Sequence, residues 1–378
     1  MDFIREELQK LKKEGLLREL RTVESEHGRC VTIAGREYLS FCSTDYLGLA
    51  NDPRVKEAAS KAVEKYGWGA GSSRLISGTT RLHRELEERL AQFHRAEGCI
   101  SFATGYMTNL GTIAALVGAG DAVIIDRLNH ASIIDGCRLS GAKMLVYQHA
   151  SEMSLENVLS GAHGFNRKLI VTDTVFSMDG DICPLPDIVT LAKRYNAMLM
   201  VDEAHAVGTM GESGRGVVEY FGLEGQVDVV MGPLSKALGG IGGYIVGSND
   251  LITYLQNKSR SFIYTTSPPP AACAAAMAAL DIIEKEPEKR QKLWENVNYL
   301  KKNLAALHLD TTSSASQIVA VIIGDANKAV AKSKKLFNRN ILLPAIRPPT
   351  VPKGTSRLRI MVVSEHQKED IDRLVSLL

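Results

Sequence analysis

Several apolar runs of this chain end in residues that could do chemistry together. The runs and their polar residues are "AVIID" with Asp126 and His130, "KLIVT" with Asp173 and Ser177, "AMLMV" with Asp202 and His205, and "VDVVM" with Lys236. Each residue alone has a structural explanation, because a strand-end Asp commonly caps a turn and a single His or Lys is commonly a surface residue. Four such strand ends in succession indicate a site, since ligands of doubly wound sheets bind at the carboxyl ends of strands.

An amine, a carboxylate and an imidazole together match the requirements of pyridoxal phosphate (PLP). The amine of Lys236 would form a Schiff base, and Asp202 would keep the pyridine nitrogen protonated so that the ring accepts electrons from a carbanion. The sequence has no GxxxxGK[ST] loop, and "GGIGG" follows the lysine instead of opening a dinucleotide-binding unit. The histidines include no HExxH or comparable spacing, so no metal site is predicted. The apolar residues and glycines around Lys236 predict that its side chain lies inside the protein.

Helical segments separate the apolar runs. Between about residues 95 and 250, the runs alternate with segments such as "PLPDIVTLAKRYN", whose apolar residues recur with helical spacing. Continuous apolar strands that alternate with helices predict an α/β fold, in which a mostly parallel sheet is covered on both faces.

A change in composition along the chain predicts the domain boundaries. The triple proline of "SPPPAACAAAMAALDIIEKE" starts an Ala-rich helix, and Lys-rich amphipathic helices with a few strands follow it. We expect an N-terminal helix and strand segment at 1–45, a large cofactor-binding α/β domain at 46–275 and a small α+β domain at 276–378. The N-terminal segment is expected to pack with the small domain or across a subunit boundary.

Charge and composition argue against several kinds of partner. The 378 residues contain 45 Lys and Arg against 43 Asp and Glu, so no global field indicates nucleic acid or an anionic membrane. The six cysteines are scattered without a CxxC pair, which favours a reducing, cytoplasmic location. The N-terminal "MDFIREELQKLKKEGLLREL" has no apolar core of the kind found in secretory signals, and charges interrupt every apolar run, so no membrane span is expected.

Long ordered motifs give the chain an end-to-end resemblance to a known family. They are "STDYLGL" (43–49), "GAGSSRLISGTTRLHRELEERLA" (69–91), "DRLNHASIIDGCRLS" (126–140), "VFSMDGDICPL" (175–185), "VDEAHAVGTMGESGRG" (201–216), "LSKALGGIGG" (234–243), "YTTSPPP" (264–270) and "AIRPPTVPKGTSRLRI" (345–360). On these motifs the chain resembles the α-oxoamine synthases, acyltransferases of PLP-dependent fold type I that condense an amino acid with an acyl thioester and release carbon dioxide. The resemblance implies a mostly parallel seven-stranded sheet and a homodimer with active sites at the subunit interface.

Two segments narrow the expected substrates. "GSSRLISG" and "IRPPTVP" favour the family member that joins L-alanine to a pimeloyl thioester in biotin biosynthesis, with pimeloyl-CoA and pimeloyl-acyl carrier protein both open as donors. Glycine C-acetyltransferase or another α-oxoamine synthase is the alternative, and a non-catalytic PLP-binding protein is a remote one. A nucleotide-dependent oxidoreductase would need a glycine fingerprint at its first βα turn, which the sequence lacks.

The resemblance also implies a role for each matched residue. Lys236 would hold the cofactor and move the substrate α-proton, Asp202 would pair with the pyridinium nitrogen, and His130 would stack on the ring and polarise the keto oxygen. Six further residues would contact the cofactor: His205, also counted as catalytic, and Ser177 at the ring hydroxyl, the amides of Gly105 and Tyr106 at the phosphate, and Thr265 and Thr266 at the phosphate of the neighbouring subunit. The amides suit a phosphate because the first N–H groups of a helix are free to bind an anion.

Arginines and threonines would bind the substrates. Arg359 is expected to clamp the amino-acid carboxylate, and Arg357, two residues away, is expected to point to the opposite face of the strand and to serve as a control. Arg18 matches the family's N-terminal arginine near the acyl substrate, with Arg21 as the alternative register, and Thr350 would line the acyl site.

Two positions depart from the family pattern. Thr44 stands where Asn is common in "SNDYLGL", which puts in doubt a second contact to the substrate carboxylate. Pro233 stands three residues before the lysine, where Thr is usual, and has neither a hydroxyl nor an N–H for the phosphate. We therefore expect a lower cofactor affinity than in a relative with Thr.

Overall fold

The computed structural model describes residues 2–378. In chain order the helices are α1 (Asp2–Lys13), α2 (Pro53–Tyr66), α3 (Arg81–His94), α4 (Gly105–Leu116), α5 (Ala131–Ser140), α6 (Glu152–Gly161), α7 (Leu185–Arg194), α8 (Val217–Tyr220), α9 (Asn249–Lys258), α10 (Arg260–Ile263), α11 (Pro270–Lys285), α12 (Pro287–Ala306), α13 (Ala326–Phe337) and α14 (Lys368–Val375). The strands are β1 (Cys30–Ile33), β2 (Arg36–Ser40), β3 (Gly98–Phe102), β4 (Ala122–Asp126), β5 (Lys143–Tyr147), β6 (Lys168–Asp173), β7 (Met198–Asp202), β8 (Val229–Pro233), β9 (Gly243–Gly247), β10 (Ile318–Gly324), β11 (Ile341–Leu342), β12 (Ala345–Ile346) and β13 (Ser356–Met361).

The chain forms two compact units. The smaller unit contains the chain up to Asn51, the short segment Ser177–Asp181 and Glu288–Leu378. The larger unit contains Asp52–Phe176 and Ile182–Pro287, so helix α11, which the predicted boundary after residue 275 divides, lies wholly within the larger unit.

The larger unit is built on a seven-stranded sheet with the order β3-β9-β8-β7-β6-β4-β5. Neighbouring strands from β8 to β5 are parallel, and β9 is antiparallel to both β8 and β3. This confirms the predicted α/β fold with a mostly parallel sheet. Strand β3, "GCISF", was not among the apolar runs singled out from the sequence, because Gly98 and Ser101 interrupt its apolar pattern.

Apolar side chains cover both faces of this sheet, as parallel strands require. Every residue of β4 is buried, and Ile113 of α4 and Ile133 of α5 are fully buried in the cluster that contains Val123 and Met200. Burial of one such side chain contributes about 1.5–3 kcal/mol, so this core fixes the strands and the strand ends firmly.

The smaller unit contains two three-stranded sheets, with the orders β1-β2-β11 and β10-β13-β12. Strand β11 pairs in parallel with β2, through Ile341 opposite Leu39, so the N-terminal segment and the C-terminal segment share a sheet. The Arg29 guanidinium and the Asp370 carboxylate form an ion pair between the same two segments. Across residues 2–378, no helix has the length and the apolar character needed to cross a membrane.

Candidate active site

The carboxyl ends of β6, β7 and β8 lie side by side in the larger unit. Asp173 is the register partner of Asp202, and Asp202 is the register partner of Met231. Above these ends lies a cavity of about 230 Å³, here called the strand-end cavity. Six residues predicted for the cofactor site line it: Gly105, Tyr106, His130, Asp202, His205 and Lys236.

Asp202 is buried at the end of β7 and is held by two hydrogen bonds. Its Oδ1 accepts from the backbone N–H of Ala204 at 2.9 Å, and its Oδ2 accepts from Nδ2 of Asn109 at 2.7 Å. Each carboxylate oxygen has two lone pairs, so Asp202 keeps acceptor capacity for a protonated ring nitrogen.

A hydrogen-bonded chain connects Asp202 to His130. Nδ2 of Asn109 also donates to Oγ of Ser132 at 2.9 Å, and Oγ of Ser132 lies 2.7 Å from Nδ1 of His130. The backbone N–H of Ser132 points at the same Nδ1, at 3.3 Å. Because Nδ1 accepts these bonds, the neutral imidazole carries its proton on Nε2.

The protonation state of His130 agrees with that geometry. Desolvation lowers the pKa of His130 below its ordinary value, the Asp202 carboxylate acts in the opposite direction, and the Lys236 charge lowers the pKa further. His130 is therefore neutral at pH 7, and its ring is a hydrogen-bond donor at Nε2.

Asp173 supports the loop that carries His130. Its Oδ2 accepts from Nδ2 of Asn129 at 2.7 Å and from the backbone N–H of His130 at 2.9 Å. Burial and the nearby Asp202 charge raise the pKa of Asp173 to about 7. Asp173 thus holds the connection between β4 and α5, and its contacts are not those of a cap on its own turn.

Lys236 follows β8 by three residues, at the cavity wall. The residue is half-buried, so the prediction that its side chain lies inside is correct only in part. Its backbone C=O accepts from Gly239 N–H at 2.8 Å in a tight turn, while the adjacent Ala237 is fully buried. The backbone is therefore fixed, and the half-buried residue lies in the wall of the cavity.

His205 lies three residues after Asp202 and is buried. Its backbone C=O accepts from Oγ1 of Thr209 at 3.1 Å, which holds the turn after β7. The strand end therefore presents an imidazole and a carboxylate to the same cavity.

The start of α4 forms another wall of the strand-end cavity. Oγ1 of Thr104 caps the helix by accepting from the N–H of Met107 at 3.1 Å, and the amides of Gly105 and Tyr106 precede that position. A Cβ on Gly105 would lie 3.1 Å from Cε of Met231, so a side chain there would crowd the cavity. Free helix N-terminal amides suit an anionic group.

These groups fit pyridoxal phosphate, which carries a phosphate at one end and a pyridine nitrogen at the other. The cavity offers amides for an anion, a carboxylate for the ring nitrogen and an amine for the carbonyl carbon. Pro233 also lines it, and the point where a Gly105 Cβ would stand is 3.9 Å from Cβ of Pro233. The proline predicted to lack a phosphate contact therefore lies beside the helix start.

Thr265 and Thr266 lie elsewhere in the larger unit. Thr266 is exposed and forms an isolated antiparallel bridge with Ser73, while Thr265 is half-buried. Within residues 2–378, neither is part of the wall of the strand-end cavity. Their predicted contact with a neighbouring subunit stays a prediction.

In the smaller unit, Arg359 of β13 has a half-buried side chain. Its Nη1 donates to the backbone C=O of Ser177 at 2.9 Å. Burial lowers the pKa of Arg359 below its ordinary value, and no carboxylate among residues 2–378 forms an ion pair with it. The other N–H donors of its guanidinium are therefore suited to bind a carboxylate of a ligand.

The prediction for Arg357 was wrong. Its Nη1 donates to the C=O of Met178 at 3.3 Å and pairs with the Asp179 carboxylate, so Arg357 and Arg359 both face the segment Ser177–Asp181. Residues two apart on a strand point to the same face, because side chains alternate with a period of two. Arg357 differs from Arg359 in being buried in an ion pair.

Arg18 and Thr350 meet in a cavity of about 670 Å³ in the smaller unit, here called the N-terminal cavity. Nη2 of Arg18 donates to Oγ1 of Thr350 at 3.2 Å. Arg21, the alternative, places its guanidinium 4.3 Å from the centre of the Phe337 ring. The geometry thus favours Arg18 as the partner of Thr350.

Thr44 is half-buried directly before the buried Asp45. The Asp45 carboxylate accepts from the N–H groups of Leu49 at 2.9 Å and Ala50 at 3.0 Å, so this turn is fixed by its neighbour. The predicted contact of Thr44 with substrate stays a prediction.

The comparison with known proteins agrees with this arrangement. Residues 36–378 match the family described as Aminotransferase class I and II. The 8-amino-7-oxononanoate synthases of Thermoanaerobacter pseudethanolicus and Symbiobacterium thermophilum are 47% and 48% identical to this chain. These matches cover 98% and 99% of this chain, and 94% and 96% of the two relatives. The chain belongs to the class I and II aminotransferase family, in its α-oxoamine synthase branch.

A solved structure extends the likeness to the whole chain of this α-oxoamine synthase. A serine palmitoyltransferase variant from S. paucimobilis, solved with a bound PLP–myriocin aldimine, superposes with a TM-score of 0.95 at 36% identity. The match covers 100% of this chain and 96% of that structure.

Two residues of this α-oxoamine synthase site were missed by sequence reasoning. Ser132 lies inside the motif "DRLNHASIIDGCRLS", and Asn109 lies shortly after Gly105 and Tyr106, whose amides were assigned to the phosphate. Asn109 follows Gly105 by four residues, so helical spacing places the two on one face of α4 and could have indicated it.

Proposed function

We propose that this chain is an 8-amino-7-oxononanoate synthase. It condenses L-alanine with a pimeloyl thioester and releases carbon dioxide and free thiol, in biotin biosynthesis, with pyridoxal phosphate as its cofactor. The observation that carries the proposal is that Lys236, Asp202 and His130 line one cavity at the strand ends. The near-full-length relatives with this name support the choice of reaction.

The strand-end cavity supplies the groups that hold the cofactor. The amine of Lys236 binds its carbonyl carbon, the amides of Gly105 and Tyr106 bind its phosphate, and Asp202 keeps the ring nitrogen protonated. When bound, the protonated ring supplies an electron sink for negative charge at the substrate α-carbon. His205 and Ser177 are assigned to the ring hydroxyl.

Proton movements fall to the chain's own residues. The amino group of alanine would first displace Nζ of Lys236 from the cofactor carbonyl carbon, and the released Nζ then removes the α-proton of alanine. The α-carbon then attacks the thioester carbonyl and expels the thiolate. The carboxylate that came with alanine then leaves as carbon dioxide, and a proton returns to the α-carbon. Nε2–H of neutral His130 donates to the keto oxygen and stabilises the negative charge that develops there.

Substrate binding is assigned to the arginines of the smaller unit. Arg359 binds the carboxylate of alanine, for which its lack of an ion pair within residues 2–378 is the support. Arg18 and Thr350 bind the acyl chain, and Thr44 contributes to the amino-acid site. The acyl donor is pimeloyl-CoA or pimeloyl-acyl carrier protein.

The proposal includes a homodimer in the cytoplasm. Thr265 and Thr266 are assigned to the phosphate of the neighbouring subunit, which requires two copies of the chain. The six cysteines form no disulfide among residues 2–378, which supports a reducing compartment.

The test is a matrix of substrates. Glycine, L-alanine and L-serine are each offered with acetyl, succinyl, pimeloyl and palmitoyl thioesters, and thiol release is measured. Alanine with the pimeloyl thioester should dominate. A preference for glycine with acetyl-CoA would instead assign the chain to glycine C-acetyltransferase.

The role of Lys236 is tested in the same assay. Lys236→Ala should abolish alanine-dependent thiol release, and borohydride should fix the cofactor to wild-type protein at Lys236 but not to this variant. Lys258→Ala changes a lysine at the end of α9 and serves as the control. Thiol release at the wild-type rate from Lys236→Ala contradicts the proposal.

A further inference from the structure

Arg347 holds the segment that precedes Arg18. Its Nη1 donates to the backbone C=O of Gly15 at 2.6 Å, and its Nη2 donates to the C=O of Leu17 at 2.7 Å. Arg347 directly follows β12, so a strand of the smaller unit fixes its backbone. Two donors on one planar guanidinium hold both carbonyls in a defined geometry.

Arg347 also contacts Thr350, the hydrogen-bond partner of Arg18. The backbone N–H of Thr350 donates to the C=O of Arg347 at 3.2 Å and closes a turn. Nη2 of Arg18 in turn donates to Oγ1 of Thr350 at 3.2 Å. Arg347 therefore contacts the chain next to Arg18 through its side chain and the chain at Thr350 through its backbone.

The lining of the N-terminal cavity carries an excess of positive charge. Glu19 is the one acidic residue in the described lining of the N-terminal cavity, which also contains Lys12, Arg18, Arg21, Lys334 and Arg347. Desolvation and the Arg18 charge lower the pKa of Arg347 below its ordinary value. The positive charge of Arg18 beside the apolar lining residues Leu17, Leu342 and Ile346 suits an acyl chain that ends in an anion.

We propose that Arg347 is a positioning residue that sets selectivity for the acyl chain. By fixing the carbonyls of Gly15 and Leu17, it places Arg18 against Thr350, where the two recognise the terminal carboxylate of the acyl thioester. This inference rests on the proposed function, since the pimeloyl chain ends in a carboxylate.

Two thioesters of equal length test the proposal. Pimeloyl-CoA and heptanoyl-CoA both have seven-carbon acyl chains, and they differ in carrying a carboxylate or a methyl group at the end. The ratio of their kcat/KM values, with L-alanine at saturation, should favour pimeloyl-CoA about 10- to 100-fold in the wild type, as a hydrogen bond to a charged group predicts. Arg347→Gln should reduce this ratio to within about threefold of unity and leave kcat/KM for heptanoyl-CoA within about twofold.

Arg347→Lys provides a second variant in case the glutamine variant folds poorly. A lysine has one point charge and cannot bridge two carbonyls in the same fixed geometry, so the ratio should again fall. A purely structural role would lower both kcat/KM values in parallel and leave the ratio unchanged, which would overturn the proposal.

A double variant separates positioning from direct contact. In an Arg18→Ala background, Arg347→Gln should cause no further change in the pimeloyl-to-heptanoyl ratio, because the residue acts through Arg18. A further fall of the ratio in that background would show that Arg347 itself contacts the carboxylate and would overturn the positioning role.

Limited proteolysis tests whether Arg347 holds the segment before Arg18, and it does not depend on enzyme turnover. Trypsin should cleave the holoenzyme after Arg18 about tenfold faster in Arg347→Gln than in the wild type, because local opening exposes the backbone. Thr350→Val, which keeps both bonds of Arg347, should cleave at the wild-type rate. If the wild type is inactive with both thioesters, the proposed function fails. If trypsin cleaves the wild type and Arg347→Gln at the same rate, Arg347 does not hold this segment, and the positioning role is overturned whatever the activity.

Discussion

The side-chain amide of Asn109 donates a hydrogen bond to the carboxylate of Asp202, with 2.7 Å between Nδ2 and Oδ2. Both residues are buried, and the same amide reaches Ser132, which in turn contacts His130. The group that would pair with the cofactor nitrogen and the group that would stack on its ring are therefore oriented by one residue.

Asn109→Ala should weaken cofactor binding. The variant removes a donor to a buried carboxylate, a bond typically worth about 1.5–3 kcal/mol, so the dissociation constant should rise about 10- to 100-fold. Titration of the apoprotein with pyridoxal phosphate, followed by absorbance, measures this. Thr112→Val is the control, because Oγ1 of Thr112 is buried on the same helix without a hydrogen-bond partner among residues 2–378. Equal affinity in Asn109→Ala and wild type would contradict the assigned role.

Pro233→Thr should strengthen cofactor binding. Pro233 lines the strand-end cavity beside the start of α4, and a threonine there would add a hydroxyl donor for the phosphate. The affinity should increase by about 10- to 100-fold, measured as retention of cofactor during dialysis. Pro233→Val has the shape of threonine without its hydroxyl and separates the hydrogen bond from the loss of the proline ring. If the threonine and valine variants retain cofactor equally, the hydroxyl is not responsible.

Arg359→Ala should raise the KM for L-alanine. Loss of the guanidinium removes a charge-assisted contact to the substrate carboxylate, so an increase of about 10- to 100-fold is expected, with a smaller change in the KM for the acyl thioester. Arg357 is unsuitable as a control, because its buried ion pair with Asp179 would be broken. Arg339→Ala changes an exposed arginine of the smaller unit and is the better control. An unchanged KM for alanine would remove Arg359 from the substrate site.

His366→Gln should reduce the loss of stability in acid. His366 is fully buried, Nδ1 accepts from the N–H of Val363 at 3.1 Å, and Nε2 donates to the C=O of Ser40 at 2.9 Å. Burial lowers its pKa from 6.5 to about 4, so between these values the unfolded chain binds a proton that the folded chain does not. The stability contribution is therefore present above pH 6.5 and is lost as the pH falls towards 4.

Between pH 7 and pH 5, the contribution of His366 to the free energy of unfolding should fall by about 2 kcal/mol, because of the difference in proton binding. Urea unfolding at the two pH values measures it, and the wild type should lose this much more than His366→Gln. His27→Gln, at an exposed position of the smaller unit, should behave like the wild type. If His366→Gln and the wild type lose the same stability between pH 7 and pH 5, His366 is not the cause of the acid sensitivity.

The sequence by itself determined the fold class and the residues at the strand ends. The apolar runs and the helical spacing between them are local patterns, and parallel strands bring their carboxyl ends to one edge. Lys236, Asp202, His205 and His130 could therefore be assigned to one site before their positions were known. The shared face of Arg357 and Arg359 also follows from local alternation, and the prediction that separated them misapplied it.

The tertiary structure decided which distant residues meet. Asn109 and Asp202 lie 93 positions apart, and Arg18 and Thr350 lie 332 positions apart, so no local periodicity connects either pair. Their contacts depend on how the helices and strands pack, and the same packing distinguishes Arg18 on Thr350 from Arg21 on Phe337. Burial is also a tertiary property: the surrounding residues predicted an enclosed Lys236, whereas the cavity beside it leaves the lysine half-exposed.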